Sequence, residues 1–528
     1  MPKRNSGEPD CPSPVSEHVL EVGARIERGP SDLLIRTAFA KELDDQAELF
    51  EAISLVDLAH TLVMMEAGIV PQDAGQALIG ALLQLHGRPA DFTPDPARGD
   101  LYTNREAWLA TQTSASTWFG AGRARREATT TAFLIKLRGG LLGLAEALTT
   151  TGKTLAARAR EFRSSLLPDY TYLQSAQPTS FGHYLLGFAY PVLRDLDRIR
   201  GLYGRVNLCP AGCGSTNGSR LPQDRARLSE LLGFDGLVPH ARDAMWQADM
   251  PIETAAVLTA VLINLDRLAE DLQIYATEEF ALVVLDDRHT RASKIMPQKK
   301  NPFALTHVRG LASTMIGTLA ASAAAGRTPS GQPDNRLPLY GMIPRAIEDT
   351  QGAVELMGEV VNFLTFNEQR GRSRLDRGFA LATDLAEVLV LVSGLDFRQA
   401  HRLVGHLVRQ RLAGGDLNQV TPGELAAAAE QVLGQRVELS QTALRNALDP
   451  EAAVSARAAP GGAAPEAVNA MIAECERALA EADVWARQHG RRLRRAEDAL
   501  LQTARERSRG SATSSPAGRG IKPVRSMM

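Results

Sequence analysis

The sequence ASKIMPQKKNP at residues 292–302 is the most informative stretch of this 528-residue chain. It places a hydroxyl, Ser293, a few residues before two adjacent cations, Lys299 and Lys300, and an amide, Asn301. A helical pattern begins directly after it. Backbone N–H groups at a helix N-terminus attract anions, so cations and an amide beside that terminus can bind a carboxylate. Two lysines alone would indicate only a solvated surface loop, but the whole string needs a more specific explanation.

On both sides of this stretch the sequence is helical in character. Apolar residues recur every three or four positions in 254–275, and similar patterns cover 41–68, 129–160 and 181–204. Aromatic residues, which strands favour, make up only 5% of the chain. We therefore predict an all-α protein whose long helices bury wide apolar stripes in a bundle.

Turn-rich breaks divide the chain into predicted units. The units are a disordered N-terminus at 1–16, an N-terminal helical domain at 17–125, a central helical bundle at 126–375 containing a loop at 284–303, a C-terminal helical domain at 376–504, and a disordered basic tail at 505–528. The first unit is polar and Pro-rich, and the last is rich in Ser, Gly and Arg. Such compositions bury little apolar surface.

Composition and charge exclude several classes of protein. Lys and Arg total 59 and Asp and Glu total 61, and this net charge of −2 argues against a nucleic-acid-binding protein. Four cysteines are too few for a disulfide-rich scaffold, and Cys209 with Cys213 lacks a second pair of zinc ligands. The sequence shows no bilayer-spanning apolar run and no signal peptide. We expect a cytoplasmic protein with no membrane partner.

The stretch at 292–302 closely resembles the signature loop of the fumarase/aspartase superfamily, Gly-Ser-Ser-x-Met-Pro-x-Lys-x-Asn. Further motifs narrow the resemblance to the argininosuccinate lyase family. They are TYLQSAQP at 171–178, the loop from Pro210 to Arg225, ATDLA at 382–386, FRQAH at 397–401, and the Pro- and Gly-containing segment from 449 to 465. The resemblance therefore runs nearly from end to end.

This resemblance implies a homotetramer built on a central bundle of long helices, with active sites assembled from three chains. It implies removal of a proton beside a carboxylate of a small dicarboxylate substrate, then loss of a leaving group to give fumarate. The family's base is the first Ser of the loop, here Ser293, while Lys299 and Asn301 would stabilise the charged carboxylate. No metal or organic cofactor is implied. Argininosuccinate as substrate would place the enzyme in arginine biosynthesis.

Several positions depart from the family where the chemistry occurs. Tyr172 stands in place of the catalytic His, and Thr306 in place of the Glu that pairs with it. Tyr102 replaces a second active-site His, and Arg126 replaces an Asn that binds substrate and could bind an additional anion. A phenol can donate a proton, so we predict Ser293 and Tyr172 as the catalytic residues. The predicted substrate-binding residues are Thr171, Gln174, Lys299, Asn301, Arg125 and Arg126.

Three functions remain open. The chain could be a lyase acting on another succinyl compound or N-substituted aspartate, or an argininosuccinate lyase of divergent sequence. It could also be a catalytically silent family member with a structural or binding role. Retention of Ser293, Lys299 and Asn301 favours an active lyase, because drift after loss of function would erode these residues too.

Overall fold

The computed structural model describes residues 28–327, 334–412 and 414–510. Most of them lie in α-helices, six of which have at least 24 residues. The prediction of an all-α protein is confirmed. The predicted N-terminal unit at 1–16 lies outside the described residues, as does most of the predicted tail.

The described helices follow one another with short connections, several of which are 3-10 or π turns. The helices before the longest loop are α1 (Asp32–Leu34), α2 (Ala40–Gln46), α3 (Phe50–Glu66), α4 (Gln72–His86), α5 (Leu101–Gln112), α6 (Arg125–Glu161), α7 (Phe181–Val206), α8 (Arg225–Leu231), α9 (Ala241–Trp246) and α10 (Asp249–Tyr275). Those after it are α11 (Phe303–Gly326), α12 (Leu339–Phe363), α13 (Glu368–Asp376), α14 (Ala382–Ser393), α15 (Phe397–Arg411), α16 (Pro422–Leu433), α17 (Gln441–Ala447), α18 (Pro450–Ser455) and α19 (Pro465–Ser508).

Short strands within the described residues pair into two-stranded sheets. The strands are β1 (Leu166–Thr171), β2 (Gln174–Ser180), β3 (Leu208–Cys209), β4 (Gly236–Leu237), β5 (Val283–Val284), β6 (Arg291–Ala292), β7 (Lys300–Asn301) and β8 (Thr365–Phe366). The pairs β1–β2, β5–β8 and β6–β7 are antiparallel, and β3–β4 is parallel. The β1–β2 and β6–β7 hairpins carry the predicted loop residues.

The long helix α6 defines two ends of the bundle. With 37 residues at about 1.5 Å each, it spans about 55 Å. Helix α12 runs parallel to it: the rings of Phe133 and Tyr340 meet at 5.2 Å near the start of both helices. Near the end of both, Arg158 Nη2 donates to the Leu364 carbonyl at 2.5 Å. We call the end where α6 begins the first end, and the opposite one the second end.

The loop between α10 and α11 lies at the second end. Helix α10 finishes beside the β1–β2 hairpin, where the rings of Tyr170 and Tyr275 are 6.0 Å apart. Helix α11 returns antiparallel along α10, and Arg309 Nε lies 3.1 Å from Asp266 Oδ1. The β1–β2 turn and the segment 291–301 therefore project from the same end of the chain.

One large hydrophobic core joins the N-terminal helices to the bundle, and a smaller core lies in α14–α18 between Leu381 and Ala453. Helix α19 belongs to the larger core, since Val468, Ile472 and Leu479 are fully buried there. The predicted C-terminal domain, 376–504, thus includes a helix that packs on the bundle. We propose that the C-terminal unit ends before α19, and the division into 17–125 and 126–375 stays a prediction.

The predicted tail at 505–528 begins too early, because α19 continues to Ser508. Leu500 and Ala504 are buried in the larger core, so packing holds the last turns in helical form. Arg505 and Arg507 lie in the last turn, where cations stabilise the helix dipole. Within the described residues, no helix is both long and apolar enough to cross a membrane.

Candidate active site

Residues 291–302 form a tight hairpin directly before α11. Ala292 pairs with Lys300, and the Ser293 N–H donates to the Lys299 carbonyl at 3.4 Å. The Lys299 N–H donates to the Met296 carbonyl at 3.1 Å, which closes the turn. The fold therefore brings the predicted Ser293 and Lys299 side by side at the base of one loop. The helix start expected after this stretch is confirmed at Phe303.

The Ser293 hydroxyl lies in an electropositive setting of backbone amides. Its Oγ accepts hydrogen bonds from the N–H groups of Ile295 at 3.3 Å and Met296 at 3.0 Å. Donated hydrogen bonds stabilise negative charge on an oxygen more than they stabilise the neutral hydroxyl. The side chain is half-buried, so a substrate can reach it. This geometry suits a serine that must accept a proton.

The charged side chains that follow Asp287 in this loop are all positive. The sequence contains no Asp or Glu between Asp287 and Asp334. Lys300 anchors the hairpin, because its Nζ lies 2.6 Å from Asp287 Oδ1 and donates to the Leu285 carbonyl. Lys299 is exposed and forms no salt bridge with any described residue. It is thus available to an incoming carboxylate.

Asn301 both closes the hairpin and faces the start of α11. Its Nδ2 donates to the Arg291 carbonyl at 2.9 Å, which fixes the side chain across the two strands. Arg291 in turn stacks on the Phe303 ring, with its guanidinium carbon 3.9 Å from the ring centre. These contacts give the loop base a fixed shape while its tip, 294–298, stays exposed.

The β1–β2 turn presents Tyr172 to solvent in an unusual backbone conformation. Tyr172 and Leu173 have φ angles of 54° and 57°, the left-handed region that a two-residue hairpin turn requires. Side chains other than Gly, Asn and Asp rarely adopt it, and such strain persists mainly at functional sites. Tyr172 is 99% exposed. Thr171 and Gln174, which pair across this turn, are also exposed.

Arg125 and Arg126 lie at the first end, in the first turn of α6. Cations are unfavourable at a helix N-terminus, and nearby carboxylates offset them here. Arg126 Nη1 is 3.0 Å from Glu42 Oε1, and its Nη2 is 3.1 Å from Asp334 Oδ1. Asp100 lies 3.7 Å from Arg126 and 3.8 Å from Arg125. The predicted additional anion at Arg126 would meet a guanidinium that already has three acidic neighbours.

These charged groups line a cleft of about 370 Å³. Lys41, Glu42, Asp100, Arg125, Arg126 and Asp334 all contribute to its wall. Burial raises the pKa of Glu42, although the neighbouring Arg126 opposes that shift. The cleft therefore suits a ligand that carries groups of both signs.

Tyr102, which occupies the position of a family His, is a packing residue. Its ring stacks on Phe119 at 4.9 Å, and the Arg123 guanidinium carbon lies 5.4 Å from the ring centre. Burial raises the pKa of Tyr102 to about 12. Arg123 also binds Asp57, which it shares with Arg105, in a fully buried cluster. This cluster supports the loop that leads into Arg125.

Thr306, which stands in place of the family's Glu, supplies no carboxylate. Thr306 lies in the first turn of α11, and its hydroxyl donates to the Pro302 carbonyl at 3.2 Å. Cys209, Cys213 and Cys475 are free and buried. Within the described residues, no group of three or more His, Cys, Asp or Glu is placed to hold a metal ion.

The predicted site residues therefore fall into two groups at opposite ends of the bundle. The loop residues Ser293, Lys299 and Asn301 and the turn from Thr171 to Gln174 lie at the second end. Arg125 and Arg126 lie at the first end. The two groups lie near opposite ends of α6, a helix about 55 Å long.

Sequence reasoning missed the partners of the arginines. Glu42 lies 84 residues before Arg126, and Asp334 lies 208 residues after it. No local pattern indicates that either carboxylate pairs with Arg126. The only available signal was indirect: two arginines opening a helix require nearby negative charge.

Comparisons with known proteins show similarity along most of the chain. A family profile described as "Lyase" matches residues 100–317, and one described as "Argininosuccinate lyase C-terminal" matches 379–455. Argininosuccinate lyase of Methanococcoides burtonii is 33% identical over 85% of this chain and 91% of its own length. That of Methanoculleus marisnigri is 33% identical over 88% and 95%.

Solved structures show the same fold. EDDS lyase in complex with formate superposes with a TM-score of 0.82 at 30% identity, over 90% of this chain and 97% of that one. An EDDS lyase variant with bound fumarate superposes equally well at 29% identity. A 3-carboxy-cis,cis-muconate lactonizing enzyme from Pseudomonas putida, at 22% identity and a TM-score of 0.64, shares the fold. The chain belongs to the argininosuccinate lyase family.

Proposed function

We propose that this protein is a C–N lyase that eliminates an amine from an N-substituted aspartate and releases fumarate. The observation that carries the proposal is the Ser293 hydroxyl, which accepts hydrogen bonds from two backbone N–H groups. It lies beside Lys299, which forms no salt bridge with a described residue. Relatives named argininosuccinate lyase and EDDS lyase support this reaction class. Argininosuccinate and related N-substituted aspartates are the candidate substrates.

Ser293 would take the proton from the carbon beside a carboxylate. The substrate carboxylate then gains negative charge, which Lys299, Asn301 and the backbone N–H groups opening α11 are placed to stabilise. Such preorganised donors lower the barrier because they need no rearrangement during the reaction. Lys299 forms no salt bridge with a described residue, so its ammonium is available to the substrate carboxylate.

Tyr172 would protonate the departing nitrogen. The phenol lies at the tip of a strained turn and forms no hydrogen bond to any described residue, so it can enter the site of another chain. Thr171 and Gln174 beside it would contact the substrate. The cleft with Arg125 and Arg126 would receive the part of the substrate that leaves.

The separation of the two groups supports a site shared between copies in a homotetramer. A second copy turned end for end would bring its first end to the loop of its neighbour. The surface of α11 fits such an arrangement: its one charged residue, Arg309, is paired with Asp266 and Glu270, while Ile316 is 54% exposed. Light scattering should give a mass of four chains, and a monomer would contradict the shared site.

Fumarate release by the purified chain tests the proposed reaction. Ultraviolet absorbance would follow argininosuccinate, EDDS and other N-substituted aspartates in parallel. Turnover of argininosuccinate would support a role in arginine biosynthesis, which we place in the cytoplasm. Turnover of another compound of this panel, without turnover of argininosuccinate, would show a repurposed lyase. A well-formed tetramer without turnover of any member would contradict the proposal and favour a catalytically silent protein.

A further inference from the structure

A second cavity lies away from all the predicted site residues. It has a volume of about 340 Å³ and lies between α6, α19 and the end of α8. A cavity of about 150 Å³ suffices for benzene, so this one can hold a larger organic molecule. Arg138, in its wall, follows Arg126 by 12 residues, or about 18 Å along α6. The cavity shares no residue with the cleft at Arg126.

Arg138 is a buried cation without a carboxylate partner. Its Nη1 donates to Asn207 Oδ1 at 2.9 Å and its Nη2 to the Leu232 carbonyl at 2.5 Å. Its Nε has no acceptor, and it forms no salt bridge with any described residue. The side chain is 5% exposed. Burial lowers its pKa to about 10, since desolvation disfavours the charged form.

The remaining wall is largely apolar and carries exposed charged groups of both signs. The aliphatic side chains are Leu55, Ile135, Leu142, Leu231, Leu493 and Leu500. Glu146, Glu497 and Arg494 also line the cavity; all three are exposed, and none forms a salt bridge with a described residue. Gly139 keeps one side open, because a Cβ there would meet no atom within 4 Å.

We propose that this cavity binds a free amino acid with an aliphatic side chain. Its carboxylate would approach Arg138, its ammonium would face Glu146 and Glu497, and its side chain would lie against the leucines. A simple amine would leave the buried Arg138 without a counter-ion, and a simple carboxylic acid would leave Glu146 and Glu497 facing only one exposed cation, Arg494. A zwitterion meets both requirements. The site is separate from the proposed lyase reaction and does not depend on it.

Calorimetric titration of the full chain with L-leucine tests the proposal. We expect saturable binding, and about tenfold or weaker binding of isopentylamine, which lacks the carboxylate, and of 4-methylpentanoate, which lacks the ammonium. Glycine, which lacks the side chain, should also bind weakly. Equal binding of isopentylamine, or no binding of leucine, would overturn the proposal.

A matched pair of variants at Gly139 locates the ligand. Arg138 also holds Asn207 and Leu232, so replacing it risks misfolding. Gly139→Leu should abolish leucine binding by filling the cavity, whereas Gly139→Ala should retain it. Both substitutions suit a helix better than glycine does. Binding that survives Gly139→Leu would overturn the proposed location.

Two further variants separate this cavity from other sites. Glu146→Gln should weaken leucine binding severalfold and leave 4-methylpentanoate binding unchanged. Ser293→Ala should bind leucine as the unaltered chain does, because the loop lies elsewhere. Loss of leucine binding in Ser293→Ala would place the ligand in the lyase site and overturn the proposal.

Discussion

Arg126 in α6 and Glu42 in α2 form a largely buried salt bridge, with Nη1 and Oε1 3.0 Å apart. The same guanidinium reaches Asp334, whose side chain is 59% exposed. With Asp100 at 3.7 Å, three carboxylates thus share one cation: Glu42 and Asp100 lie in the interior and Asp334 at the surface. The interior partners matter more for stability, because solvent screens the exposed one.

Glu42→Gln should therefore lower the free energy of unfolding by about 1–2 kcal/mol, since it removes the nearer of the two buried carboxylates beside Arg126. Asp334→Asn alters the exposed partner of the same guanidinium and should change the free energy of unfolding by less than about 0.5 kcal/mol. Urea denaturation of the two variants measures the difference. Equal effects would mean that burial does not decide how much each carboxylate contributes to stability.

Ser293→Ala should reduce the rate of fumarate formation by about a thousandfold or more, because it removes the proposed proton acceptor. The fold should be unaffected, since the side chain lies in a half-exposed loop. Ser313→Ala, on the exposed face of α11, is the matched control and should keep its activity. Near-normal turnover in Ser293→Ala would eliminate Ser293 as the base.

Tyr172→Phe keeps the ring and removes only the hydroxyl. If the phenol protonates the leaving nitrogen, kcat should fall by about 10- to 100-fold for substrates with basic leaving groups. The melting temperature should not change, because Tyr172 is 99% exposed. Steady-state kinetics and calorimetry on the same preparation check both statements. An unchanged kcat would leave Tyr172 without a role in proton transfer.

Mixing two inactive variants should restore activity. Ser293→Ala alters the second end and Arg125→Gln the first end. In a mixed tetramer, one site can therefore take an unaltered Ser293 from one chain and an unaltered Arg125 from another. Random exchange of subunits would leave about one quarter of such sites intact. The assay is fumarate release after joint denaturation and refolding. If the mixture stays as inactive as its components, each site draws both residues from one chain.

Tyr102 should make stability fall in alkaline solution. Its pKa is about 12 in the folded chain, above the ordinary value of 10.0, because burial disfavours the phenolate. The folded state therefore binds more protons than the unfolded state between these values, and stability is lost as pH rises from about 10 to 12. Thermal melting of Tyr102→Phe should show a shallower decline. An identical decline would contradict the assignment.

The sequence alone determined the elements whose signals are local. The apolar repeat in 254–275 reflects the helical period, and α10 covers it as Asp249–Tyr275. The motif at 292–302 identified the loop before α11, because its residues are contiguous in sequence. These features need no knowledge of distant parts of the chain.

Tertiary structure alone decided the partners of Arg126 and the position of α19. Glu42 and Asp334 lie 84 and 208 residues from Arg126, and nothing local indicates which distant carboxylate will meet a given cation. Helix α19 follows the C-terminal unit in sequence, yet its apolar face fits the larger core. Burial of apolar surface and pairing of charge depend on which elements meet in space, and only the packed fold sets that.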